Sequence, residues 1–178
     1  MAGDGGRSAA WGLRYQYLRT LEALLGAVEE PHLGVAAVHV EGLPLEGGRA
    51  PESIDYELTD ADGRVLLAVQ VKARAPGTEL GAGDVFKALA LLVQQRDAAR
   101  YELLVSAGAG VSARSLMAVL FSGAPAKETR SAIGEILASV SAGRQIPVLR
   151  GLKDEHIDRL CRAQVRFDPG DEKRSSGR

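Results

Sequence analysis

The chain has a single cysteine, Cys161, among its 178 residues, which excludes an internal disulfide and any zinc cage built from several thiolates. Aromatic side chains are scarce: one Trp, four Tyr and three Phe leave no base-stacking platform of the kind that recognises single-stranded RNA. The first residues, Met1 to Gly6, hold no apolar signal core, and no hydrophobic run approaches the length of a membrane span. A cytoplasmic protein without membrane contact is the expectation. Net charge is −1, so bulk electrostatics does not drive this chain onto nucleic acid, and any phosphate-binding surface must be local.

What is present is a large apolar fraction, 46%, enough for one well-filled core in a domain of ordinary size. Residues 1–10 are small and polar and are expected to be flexible; residues 11–169 form the domain; the charged stretch 170–178 reads as a disordered tail or linker. Leu13, Tyr17, Leu21, Leu24 and Leu25 recur at helical spacing and give one apolar stripe, ending before Pro31. Strands are expected over Val35–Glu41, Ser53–Leu58 and Arg64–Arg74, the last two joined by the hairpin turn Asp60-Ala61-Asp62-Gly63. The third strand starts continuously apolar, as a strand buried on both faces does, and then alternates. A helix over Asp84–Ala99 and a strand over Tyr101–Ser106 follow. Further helices are expected over Ser112–Phe121, Lys127–Ser141 and Asp154–Ala163, with short strands at Val148-Leu149 and Val165–Phe167. Helix, three strands, helix, strand and further helices pack most naturally as an α/β domain with a central mixed sheet.

Polar residues gather near the ends of these strands. Gln70 and Lys72 are two apart and leave one face of their strand. Burying a Lys beside a Gln in a Val-rich strand is costly without partners, and Glu41 and Asp55 on neighbouring strands supply carboxylates. Those carboxylates are also the hard oxygen ligands that Mg²⁺ prefers, with the Gln70 amide oxygen and the Val71 main-chain carbonyl as further donors. A cation held there polarises a phosphodiester and lowers the pKa of a water, while Lys72 orients that water or meets charge growing on the phosphate.

The order Ile54-Asp55, then Val69-Gln70-Val71-Lys72, after an opening helix carrying Gly12-Leu13-Arg14-Tyr15-Gln16 and a strand ending at Glu41, resembles the PD-(D/E)XK, or restriction-endonuclease-like, nuclease superfamily. It is similar in particular to the double-stranded-DNA nuclease domains at the N-terminus of bacterial antiphage effectors. Definable motifs cover residues 10–110; Gln70 stands where an acidic residue is usual. The resemblance implies an α-β-β-β-α-β core with C-terminal helices and a Mg²⁺-dependent endonuclease on double-stranded DNA, with Mn²⁺ as a substitute. Asp55, Gln70, Lys72 and Glu41 would be its catalytic residues. It further implies fusion to or association with an ATPase or sensor module, and because one domain cleaves one strand, a double-strand break calls for a homo-oligomer. Gln16 lines the site on this reading, although a helix-surface amide explains it equally well; His39 shares the face of Glu41. Arg74, Lys87, Arg96 and Arg100 are candidates for a phosphate track. The alternative, in which the carboxylates do not meet, is a nuclease-fold module that binds DNA or oligomerises without cleaving.

Overall fold

The computed structural model describes residues 4–44, 53–75, 77–140 and 144–168. Helix α1 (Asp4–Glu29) and a 3₁₀ turn (Pro31–Leu33) lead into β1 (Ala37–Val40), β2 (Tyr56–Thr59) and β3 (Val65–Lys72). After the two-residue β4 (Glu79–Leu80) come α2 (Ala82–Gln95), β5 (Arg100–Val105) and the short β6 (Gly108–Ala109). Helices α3 (Val111–Leu120), α4 (Ala126–Ser139), α5 (Ile146–Gly151) and α6 (Asp154–Cys161) precede β7 (Ala163–Phe167). The main sheet is mixed, in the order β1-β2-β3-β5-β7, antiparallel from β1 to β3 and parallel from β3 to β7. The chain is therefore an α/β fold with a helix-flanked, five-stranded mixed sheet.

The alternation in β3 decides what lies on each side. Val69 and Val71 turn with Tyr56, Leu58 and Leu104 towards α1, where Tyr15 and Ala23 pack on them. The opposite face, with Ala68 and Leu103, meets α2 and the C-terminal helices in the larger core. The β2–β3 hairpin closes as expected: Asp60 Oδ1 accepts the N–H groups of Asp62 and Arg64, and Gly63 takes φ +78°, a conformation glycine adopts without strain.

Several expectations need correction. Backbone residues 4–10 are helical, because a nucleated helix extends readily through Ser8-Ala9-Ala10. The stripe Leu13, Tyr17, Leu21, Leu24, Leu25 faces away from the sheet, and the thinner face carrying Gly12, Tyr15 and Ala23 lies against it. Strand β2 starts at Tyr56, leaving Asp55 just outside, and α2 ends at Gln95, four residues short of expectation. Val148-Leu149 belongs to α5, whose first turn takes Pro147 at a position where no N–H is needed. Gly108-Ala109 pairs in parallel with Glu79-Leu80 in a second, two-stranded sheet. The tail 170–178 and most of the Gly- and Pro-rich stretch after Pro44 lie outside the described residues.

Candidate active site

Three strands converge on Asp55. In a regular strand the N–H and C=O of one residue face the same neighbour. Asp55 splits them: its C=O accepts the Glu41 N–H at 2.7 Å on one side, and its N–H donates to the Val69 C=O at 2.8 Å on the other. The kink this implies turns its carboxylate onto β3, where Oδ2 accepts the Val71 N–H at 2.6 Å. The side chain thus takes over a ladder bond where β2 has already diverged. The Val71 C=O leaves β3 on the same edge as its N–H and so faces the same gap.

Gln70 and Lys72 leave the other face of β3 from Val69 and Val71. Gln70 is 3% exposed, and its Oε1 is buried without a hydrogen-bond partner. Leaving a buried acceptor unsatisfied costs about 1–3 kcal/mol, so such an atom calls for an explanation. Lys72 is half-buried. Burial lowers its pKa, the Asp55 charge raises it, and Arg74 and Lys87 lower it. Burial raises the pKa of Asp55; the Val71 N–H and Lys72 oppose that, and Glu41 adds to it. Each group therefore feels the other, and Asp55 also feels Glu41.

Glu41 sits one residue past β1, exposed, with φ +62°, the left-handed region that a non-glycine residue enters only at a cost. Gly42 follows with φ +71°, so the chain leaves β1 through two left-handed residues in succession. This turn separates Glu41 from the alternation that its strand would impose.

Asp55, the Val71 carbonyl, Gln70 Oε1 and Glu41 are the oxygen donors that a hard cation could draw on here. Among the described residues no group of three or more His, Cys, Asp or Glu side chains gathers around one point. The set fits Mg²⁺ nevertheless, because Mg²⁺ is commonly held by one or two carboxylates and keeps waters or substrate phosphates for the rest. The unsatisfied Gln70 oxygen is the feature of this chain that a cation would answer.

Beside Lys72 opens a cleft of about 140 Å³ lined by Lys72, Arg74, Leu80, Asp84, Lys87 and Ala88. Two of the four phosphate-track candidates, Arg74 and Lys87, thus stand next to the site. The other two do not. Arg96 donates from Nε to Glu57 Oε1 at 2.5 Å and also to the Leu43 carbonyl, while Arg100 lines a hollow beneath α1. His39 Nε2 lies 3.1 Å from Thr59 Oγ1, directed along β1 away from Glu41. Gln16 is half-buried on α1, the helix that covers the opposite face of the sheet. Sequence reasoning missed Asp84, exposed in the first turn of α2; the only signal was its position at the start of the helix following the Gln70-Val71-Lys72 strand.

Glu57, two residues beyond Asp55, is fully buried and belongs to the scaffold. It accepts the Leu43 N–H at 2.6 Å as well as the Arg96 bond. Ser53, on the other side of Asp55, donates both its N–H and its hydroxyl to Gln95 Oε1, at 3.2 and 2.7 Å. The segment bearing Asp55 is therefore held on both sides by consecutive residues at the end of α2.

Compared with models of protein families, with curated proteins and with solved structures, the chain matches none of them. Among the described residues no helix is long and apolar enough to cross a membrane.

Proposed function

We propose that this chain is a metal-dependent endonuclease that hydrolyses phosphodiester bonds of double-stranded DNA. The observation that carries the reading is the buried, unpartnered Gln70 Oε1 next to Lys72 on the strand whose Val71 N–H fixes Asp55. A purely structural sheet has no use for an amide oxygen stranded in that place, and a cation site does.

In this reading Asp55, just before β2, and Gln70, on β3, would hold a Mg²⁺ ion, with the Val71 carbonyl and Glu41 as further donors. When bound, the ion supplies Lewis-acid polarisation of the phosphate and a lowered water pKa. Asp55 is pre-aimed by its bond to Val71, which fixes one oxygen and leaves the other for ligation. Lys72 directs its ammonium to the attacking water and to the charge that grows on the phosphate oxygens. Arg74 and Lys87 bind flanking phosphates in the adjoining cleft, so contacts are to the backbone of the nucleic acid and not to base edges. The likeness of the Asp55 and Gln70-Val71-Lys72 motifs to antiphage effector nucleases supports an effector role in defence, coupled to a sensor or ATPase module.

The test is cleavage of supercoiled plasmid by the purified protein with Mg²⁺ or Mn²⁺, against EDTA, for wild type, Asp55→Asn and Lys72→Ala. Metal-dependent nicking lost in both variants is the expected result. Absence of cleavage in wild type, with DNA binding intact, would replace the enzyme with a binding module of the same fold. Cleavage of duplex RNA in preference to DNA would overturn the substrate.

A further inference from the structure

The outer face of α1 is apolar along its length. Leu13, Tyr17, Leu21, Leu24, Leu25 and Val28 are 44–72% exposed, and Leu18 joins them at 49%. From Leu13 to Val28 the stripe runs about 22 Å at the helical rise. Exposed apolar patches on soluble monomers rarely exceed a few hundred Å², and a large one marks an interaction site. Seven half-exposed large side chains present several hundred Å², on the order of the ~800 Å² per partner that a stable interface buries.

The charges beside the stripe say what fits on it. Arg14 is exposed near one end of the described face and Glu29 near the other, whereas Glu22 lies beside the middle. The remaining arginine of this stretch, Arg19, is turned inward, stacked over the Tyr15 ring and paired with Glu22 and Asp168. A face that is basic at one end and acidic at the other complements itself when two copies run antiparallel. With a two-fold axis passing near Leu21, Leu21 meets its own copy, Tyr17 meets Leu25, and Arg14 falls opposite Val28 with Glu29 of the second copy beside it, twice. Such a contact is isologous and closes after two subunits.

We propose that α1 is the homodimerisation element of this protein, pairing antiparallel with α1 of a second copy about an axis at Leu21. The pairing is independent of the nuclease reading. It is compatible with it, because α1 covers the Val69–Val71 face of the sheet while Gln70 and Lys72 leave the other face. Both sites stay open in the dimer, which gives a single-strand-cutting domain the second centre that a double-strand break needs.

Sedimentation of the 178-residue protein over a range of concentrations tests this, with wild type compared with Leu21→Glu/Leu25→Glu, Arg14→Glu, and Arg14→Glu combined with Glu29→Arg. Wild type is expected to be dimeric and the double-Glu variant monomeric, with its folded circular-dichroism spectrum kept. Arg14→Glu should weaken the dimer about tenfold, and the added Glu29→Arg should restore it. In a Cys161→Ser background, Leu21→Cys should cross-link two copies, whereas Arg14→Cys and Val28→Cys should not. A wild-type monomer at about 100 µM overturns the proposal, as does a dimer indifferent to the double-Glu change. Cross-linking at positions 14 and 28 overturns the antiparallel arrangement. A monomer whose α1 face is shielded from labelling by residues 169–178 of its own chain overturns the second copy as occupant. Loss of cleavage activity alone bears on none of these outcomes.

Discussion

The Asp55 carboxylate accepts the backbone N–H of Val71 at 2.6 Å, standing in for the strand that would otherwise continue beside β3. One carboxylate thereby closes a sheet and, in the proposed function, faces a reaction. The two are separable. Asp55→Asn keeps an acceptor for Val71 and removes the charge, whereas Asp55→Ala removes both. Asp55→Ala should lose about 1–3 kcal/mol relative to Asp55→Asn, through a stranded N–H. Urea unfolding of both variants measures it, and equal stabilities would show that the bond is immaterial.

The same carboxyl gives a dependence on pH. Burial raises its folded pKa above the unfolded value, so its protonated form is favoured in the fold. That contribution is present below the unfolded pKa and is lost as pH rises through the folded one. Without metal, Asp55→Asn should therefore gain on wild type as pH climbs from the acid range to neutrality. Thermal melts in EDTA across that window check the sign, and a constant difference would contradict it.

Lys72 carries the opposite shift. Burial first, and Arg74 and Lys87 after it, lower its pKa against the pull of Asp55. A cationic role for Lys72 then predicts an alkaline loss of cleavage that sets in below the usual lysine range. Lys72→Arg stays charged at every practical pH and should abolish that limb, whatever activity it retains. A limb that persists unchanged in Lys72→Arg belongs to another group.

In the proposed site, Glu41 is the position where strain and chemistry meet. Its left-handed backbone is one that glycine takes freely, so Glu41→Gly should stabilise the apo protein by about 1 kcal/mol. The same change deletes a carboxylate near Asp55 and should raise the Mg²⁺ concentration needed for half-maximal cleavage. Greater stability with unchanged metal demand would remove Glu41 from the site.

Glu57 and Arg96 form a pair whose acid is fully buried. Breaking it from one side leaves a buried charge alone, and Arg96→Ala should cost about 3–5 kcal/mol. Because that change also releases the Leu43 carbonyl, cleavage and stability should fall together; chemical denaturation with parallel activity assays checks both.

Much of this was legible in the chain. The period-two run through Val69, Gln70, Val71 and Lys72 fixed which side chains share a face, and the hairpin residues fixed how β2 meets β3. Local pattern does not carry the direction in which an amphipathic helix turns. Leucine spacing on α1 shows a stripe, yet the sheet takes the face with Gly12 and Ala23, where backbones approach closely. The kink at Asp55 was equally hidden, since it depends on hydrogen bonds to two different strands. The early end of α2 has a similar cause: Arg96 is drawn into an extended conformation towards Glu57, a residue 39 positions earlier.

Gln95 and Arg96 fasten Ser53 and Leu43, the two shores of the chain between β1 and β2. Whatever length of polypeptide runs between those moorings, its ends stay where α2 puts them, and Asp55 and Glu41 stay with them. Insertions or deletions between Pro44 and Ser53 can therefore be absorbed at little entropic cost. The placing of Asp55 and Glu41 thus rests on the end of α2 and not on the length of that span.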